Sequence, residues 1–236
     1  STEATSEDVS TALAEARAGT VYIEMHGPVN EKGRYNTGMG TGFIVARHKN
    51  RAIIATNCHI LCNNTWAWVT TYANQRERIP ARLITADRGK DIAFISIPYQ
   101  EDMDVLPLLS DEAPKLGEQA VAIGNPHGVR WSITFGMFSN VNSSDEIMPS
   151  QTNVHQTDAA ISPGSSGGPL LVLRDGVYKV AGMNTFIMSP TGANVGLGFA
   201  VPATLIKPAL DAILAGDPVV LPSFGGNVEA VSQMAA

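Results

Sequence analysis

Short apolar runs alternate with turn residues along almost the whole chain, and only its two ends carry a helical period. Runs rich in Val, Ile, Thr and aromatic residues near 21–25, 42–46, 52–56, 66–72, 79–85 and 92–97 read as strands. A second series reads near 119–124, 131–141, 154–158, 169–173, 177–184 and 195–201. Residues 28–38 read as a turn-rich loop, and His48-Lys49-Asn50-Arg51 as a charged turn between strands. Val9, Leu13 and Ala16 share one face of a short N-terminal helix. Leu205, Ile206, Leu210, Ile213 and Leu214 mark an amphipathic helix near the other end, stopped by Gly216-Asp217-Pro218. Many short strands with a helix at each end predict an all-β barrel protein. The acidic, Pro-punctuated loop after Pro98 separates a first barrel (20–112) from a second (113–202). An N-terminal segment (1–19), a C-terminal helix (203–216) and a small, polar tail (217–236) complete the expected organisation.

A length of 236 residues suits two fused barrels, and 44% hydrophobic with 16% charged residues is a globular composition. The net charge of -6 comes without any basic block, which argues against nucleic-acid binding. No run of 18 apolar residues exists to span a membrane as a helix. The first residue is Ser1 rather than Met, so the chain is expected to be processed or shortened at its start. Two cysteines, Cys58 and Cys62, are too few for a disulfide-stapled scaffold.

The run Gly164-Ser165-Ser166-Gly167-Gly168-Pro169 carries the first chemical signal. An acyl-transfer nucleophile needs a serine on a tight turn with backbone N–H groups aimed at a developing oxyanion. The glycines give that turn its conformational freedom. Ser166 needs a base. Of the five histidines, His59 directly follows the strand 52–56, where a side chain is held rigidly. His26, His48, His127 and His155 read as surface or core residues. The imidazole needs an orienting acid. Asp91 stands at the mouth of the apolar strand 92–97, where a carboxylate is costly to bury without a partner. Its rival Asp87 lies in a polar turn. The order His59, Asp91, Ser166 points to chymotrypsin-like barrels, expected here as two barrels of six strands each.

These residues lie in runs that resemble the HtrA (Deg) family of trypsin-like serine peptidases. The runs are Gly40-Thr41-Gly42-Phe43-Ile44-Val45, Thr56-Asn57-Cys58-His59-Ile60, Asp91-Ile92-Ala93-Phe94-Ile95, Ala122-Ile123-Gly124-Asn125-Pro126, the long stretch 156–170 through Ser166, and Gly196-Leu197-Gly198-Phe199-Ala200-Val201-Pro202. The resemblance implies that Ser166 attacks the scissile carbonyl, that His59 moves its proton, and that Asp91 fixes the imidazole. It places the oxyanion hole at Gly164, Ser165 and Ser166, with the Gly164 and Ser166 amides as donors. Ser165 stands where relatives usually carry Asn and digestive enzymes Asp, so activation through an ion pair to a freed N-terminus is not expected. Relatives usually continue into PDZ domains; the resemblance here covers a protease domain without one.

The resemblance also implies a primary specificity pocket with Ala160 and Ile161 at its base and Met183, Asn184, Thr185 and Phe186 on its wall. No acid or histidine stands there, so cleavage after medium apolar residues is expected. Ile161, Met183 and Phe186 read equally well as core residues. Cys58 and Cys62, four apart, fall within disulfide reach if helical, but two free, half-buried thiols are expected. A metal on Cys58-His59-x-x-Cys62 would occupy the base, so no metal and no cofactor is expected. The implied substrates are unfolded or misfolded polypeptides. The implied location is periplasmic or secreted, with an organelle lumen as the alternative, and the implied assembly is a homotrimer through residues 8–25. A regulated or silent binding protein on the same fold and a narrow processing protease are the competing readings.

Overall fold

The computed structural model describes residues 5–62, 64, 66–144, 152–187 and 197–216. The chain enters through helix α1 (Ser6–Ala18). Thr5 and Asp8 cap it reciprocally: Thr5 Oγ1 accepts from the Asp8 N–H at 3.2 Å, and Asp8 Oδ2 accepts from the Thr5 N–H at 2.9 Å. Ala12 and Ala16 are its buried residues, with Val9 and Leu13 half-buried beside them.

Seven strands follow: β1 (Thr20–Val29), β2 (Tyr35–His48), β3 (Arg51–Thr56), β4 (Trp66–Thr71), β5 (Ile79–Pro80), β6 (Arg82–Asp87) and β7 (Ile92–Pro98). The short helix α2 (Cys58–Leu61) lies between β3 and β4. These strands form one antiparallel sheet in the order β5-β4-β1-β2-β3-β7-β6. Among the described residues no ladder joins its two edges, so the first of the two expected barrels takes the form of a half-barrel of seven strands. The reason is Ala81: it separates β5 from β6 and gives its N–H to Ala67 O at 3.0 Å. One bent stretch of chain therefore pairs with β4 first and with β7 afterwards, so both edges of the sheet belong to the same run.

The second unit is a closed antiparallel barrel, as expected. It comprises β8 (Gln119–Gly124), β9 (Ser132–Ser144), β10 (Thr152–Thr157), β11 (Pro169–Arg174), β12 (Val177–Ile187) and β13 (Gly198–Pro202), in the order β10-β13-β12-β11-β8-β9. Helix α3 (Ala203–Ala215) closes the described chain, stopped by Gly216 in the left-handed conformation at φ 76°. Leu214, expected on its apolar face, is exposed. The tail 217–236 and the expected start of the last strand at 195 lie outside the described residues.

The loop expected over 28–38 is shorter than that. β1 runs on to Val29, and β2 starts at Tyr35. Pro28 sits where the β1–β2 register shifts between His26 and Val29, so its missing N–H breaks no ladder bond. Asn30 makes the turn, its Oδ1 accepting from the N–H groups of Lys32 and Arg34 at 3.0 and 3.1 Å.

Three apolar clusters fill the molecule, one in each unit and one between them. On β2, β3 and β7, Ile44, Ile54 and Ile95 point into a cluster built by the first sheet and α2. Their neighbours Phe43, Val45, Ile53, Ala55 and Phe94 face a second cluster, shared with Val121, Ile123, Leu171, Val180, Met183 and both long helices. On β8 and β11 the opposite face, with Ala120, Ala122, Leu170 and Val172, fills the closed barrel. These strands are buried on both faces, which is why they read as continuous apolar runs rather than alternating ones.

His155 also lies inside the barrel, 2% exposed and edge-on to Phe138 at 5.9 Å. Burial pushes its imidazole down from 6.5 to about 4, against an upward pull from a hydrogen bond to the Ala181 backbone. Between those two values the unfolded chain binds a proton that the native barrel refuses. Stability is therefore full above about pH 6.5 and falls as the pH drops towards 4, by on the order of 3 kcal/mol for this residue. Denaturant unfolding at pH 7.5, 6 and 5 should show that loss, and His155→Leu should flatten it. Equal pH slopes for the two proteins would refute this role.

Candidate active site

β3 delivers the chain to the site. Its last residue, Thr56, gives its hydroxyl to Thr41 O at 2.7 Å, and the fully buried Asn57 then gives its side-chain N–H to Asp91 O at 3.0 Å. The single turn of α2 follows, with His59 on it. Asp91 meets this turn from the start of β7. Its backbone has φ 56°, a left-handed conformation that Asp tolerates better than most residues. In that conformation its carbonyl oxygen accepts from both Asn57 and, at 3.3 Å, the Cys58 N–H.

The Asp91 carboxylate takes three donors. Oδ1 accepts from the His59 N–H at 2.8 Å. Oδ2 faces His59 Nδ1 at 2.7 Å and accepts from Thr185 Oγ1 at 2.6 Å. With the carboxylate as acceptor, the ring proton belongs on Nδ1, and Nε2 keeps its lone pair. The Asp91 side chain is 12% exposed and that of His59 50%, so the ring is anchored at a covered end and open at the other.

Ser166 comes from the second unit, on the turn leading into β11. Gly167 adopts φ 85°, and a Cβ there would strike Thr41 O and Thr56 Oγ1, so only glycine brings the turn this close to the first sheet. Ser166 Oγ donates to Thr185 O at 3.2 Å. Thr185 thus touches Ser166 through its carbonyl and Asp91 through its hydroxyl. Among the described residues no hydrogen bond joins Ser166 to His59. The amides of Ser165, Gly167 and Gly168 are occupied by Ser162 O, Asn184 O and Ser165 O at 2.9, 2.7 and 3.0 Å. Those of Gly164 and Ser166 meet no acceptor among the described residues, so two N–H groups remain beside the serine for an incoming oxygen.

The expected pocket residues are distributed less uniformly. Ala160 is exposed, with its carbonyl accepting from Thr134 Oγ1 at 2.9 Å. Ile161 belongs to the barrel cluster and Met183 to the shared cluster, where both are core residues. Asn184 is fully buried, its N–H on Gly168 O at 2.9 Å. Thr185, expected on the pocket wall, spends its hydroxyl on Asp91 instead. The Phe186 side chain lies outside the described residues. Asn57 and Thr185 are site residues whose hydrogen-bonding roles sequence reasoning missed, since nothing in a lone Asn or Thr marks it as a donor to the Asp91 backbone carbonyl or to the Asp91 carboxylate.

The description "trypsin-like peptidase domain" matches residues 40–183, which include all of these contacts except those made by Asn184 and Thr185. The chain belongs to the trypsin-like peptidase family. Within that family it is similar to the "Periplasmic serine endoprotease DegP" of Escherichia coli, 32% identical over 169 residues, covering 72% of this chain and 34% of that protein. It is also similar to the "Probable periplasmic serine endoprotease DegP-like" of Chlamydia pneumoniae, 35% identical over 195 residues, covering 81% and 38%. The chain thus spans about a third of the length of these relatives. Among solved structures, "HtrA-type protease AlgW with tripeptide" superposes with a TM-score of 0.76 and 25% identity, over 89% of this chain and 64% of that one. The HtrA (Deg) resemblance read from the motifs therefore extends to whole-fold similarity.

One expectation about this trypsin-like site is overturned. Cys58 and Cys62 are not free, half-buried thiols; they form a disulfide across α2, with Cα atoms 5.3 Å apart and residues 2% and 6% exposed. The helical turn brings positions four apart onto one face, and the Cys62 N–H on Cys58 O at 2.7 Å holds the turn closed. Closing so short a loop contributes on the order of 2 kcal/mol. Thiol titration in denaturant should find no free cysteine before reduction, and reduction should lower stability by about that amount. Two reactive thiols in the unreduced protein would contradict the bridge.

Proposed function

We propose that the chain is a serine endopeptidase that cleaves unfolded or misfolded polypeptides through an acyl-enzyme. The observation that carries this reading is the cluster His59–Asp91–Thr185–Ser166 standing beside two unoccupied backbone amides. Ser166 Oγ turns from Thr185 O towards His59 and attacks the scissile carbonyl as His59 Nε2 takes its proton. Asp91 holds the ring and stabilises the imidazolium. The Gly164 and Ser166 amides receive the oxyanion. His59 then gives the proton to the leaving amine, and a water, activated by the same imidazole, releases the acyl group from Ser166. The residues expected at the pocket, Ala160, Ile161, Met183, Asn184, Thr185 and Phe186, include no charged side chain, which favours medium apolar residues before the cut, such as Val, Ala, Leu or Met.

The names of the relatives support a periplasmic or secreted setting, and the Cys58–Cys62 disulfide suits an oxidising compartment. Ser166→Ala should abolish digestion of an unfolded protein such as reduced casein, and Asp91→Asn should lower kcat by roughly 10³–10⁴ by inverting the ring tautomer. A fluorophosphonate should label the wild type at Ser166. Absence of labelling would replace this reading with that of a silent binding protein, and cleavage of one native substrate without casein digestion would favour a processing protease. A peptide-library profile dominated by charged residues before the cut would overturn the specificity.

A further inference from the structure

The 162–166 turn has no ion pair to shape it, because Ser165 carries no charge. Its shape is instead set one peptide unit at a time. A trans peptide points its C=O and N–H in opposite directions. Pro163 O accepts from the His127 N–H at 2.8 Å, which turns the Gly164 N–H the other way. Gly164 O accepts from Thr41 Oγ1 at 2.7 Å. Ser165 O accepts from the Gly168 N–H at 3.0 Å, which turns the Ser166 N–H outward.

Two of these ties lead to Asn125. The Thr41 hydroxyl has its proton on Gly164 O because Asn125 donates to it twice, from Nδ2 at 2.9 Å and from the backbone N–H at 3.2 Å. Asn125 Oδ1 accepts from the Trp131 N–H at 2.9 Å, which closes the segment carrying His127, whose own φ is 50°. Asn125 is fully buried, and a Cβ on Gly164 would strike its carbonyl oxygen, so the two segments touch backbone to backbone. Thr41 also gives its N–H to Ser166 O at 2.9 Å.

We propose that Asn125 and Thr41 are positioning residues for the reaction, holding the 162–166 turn so that the Gly164 and Ser166 amides face the carbonyl under attack. This inference rests on the reading of Ser166 as the nucleophile. Neither residue touches substrate; each acts through the turn. Thr41→Val keeps the shape and removes the hydroxyl, leaving Gly164 O without its donor and Asn125 Nδ2 with only its longer contacts to Gly40 O and Val21 O, at 3.4 and 3.5 Å, whereas Thr41→Ser keeps the bond.

The test compares wild type, Ser166→Ala, Thr41→Val, Thr41→Ser and Asn125→Ala on one peptide substrate, with thermal unfolding as a check on folding. Thr41→Val and Asn125→Ala should lower kcat by about 10²–10³, the cost of losing an oxyanion donor, with KM changed by less than about threefold. Affinity for a peptide aldehyde, whose adduct with Ser166 carries the same oxygen, should fall in parallel. Thr41→Ser should recover at least about tenfold of the loss. If Thr41→Val does not fold, Thr41→Ala against Thr41→Ser makes the same comparison. Ser166-dependent hydrolysis in the wild type that survives within threefold in Thr41→Val overturns the inference alone, as does a serine variant no better than the valine one. No Ser166-dependent hydrolysis in the wild type overturns the functional reading and this inference together.

Discussion

The Asp91 carboxylate sits where the two units meet and accepts from both. His59 reaches it from α2 through two nitrogens, and Thr185 reaches it from β12 across 94 positions of sequence. A carboxylate withdrawn from water is tolerable only when donors replace the lost solvent. One of those donors is supplied by the second unit, so the His59–Asp91 pair is complete only once the units have docked. Docking in turn depends on the apolar cluster shared by β2, β3, β7, β8 and β11, which are buried on both faces. The reactive geometry is therefore a consequence of packing between the units rather than of either sheet by itself.

Much of this was legible in the sequence because it is written in side-chain types. Strands buried on both faces read as unbroken apolar runs, and β3, β7, β8 and β11 fall within a residue or so of their expected bounds. His59, Asp91 and Ser166 stood out because each is costly or unusual in its setting. The errors have local causes. Pro28 and the following turn residues suggested a long loop, but a register shift absorbs Pro28 within a strand. Cys58 and Cys62 looked like free thiols because a four-residue helical turn between two β segments has no apolar period long enough to detect.

What stayed hidden is written in backbone direction. The motif around Ser166 announces a glycine-rich turn, but it does not say which way each amide points. That direction depends on where the attached carbonyl is tied, and the ties come from His127, Thr41 and Gly168. His127 read as a surface or core residue, and its contribution is its N–H rather than its ring. A main-chain donor has no residue-type signature, so no inspection of histidines as histidines would have found it.

The absence of a charge at Ser165 gives these neutral ties their weight. An intramolecular hydrogen bond typically contributes about 0.5–1.5 kcal/mol, while leaving a buried partner unpaired costs about 1–3 kcal/mol. Turning over the 163–164 peptide would break the His127 bond and set the Gly164 N–H against the His127 N–H. Turning over the 164–165 peptide would leave the Thr41 hydroxyl, already accepting from Asn125, with nowhere to donate. The ties lie on consecutive peptide units of one short turn, so neither unit can rotate without straining the next. A turn held in this way needs no liberated N-terminus to take its working shape. Its integrity rests on two buried residues, Thr41 and Asn125, that never meet the substrate.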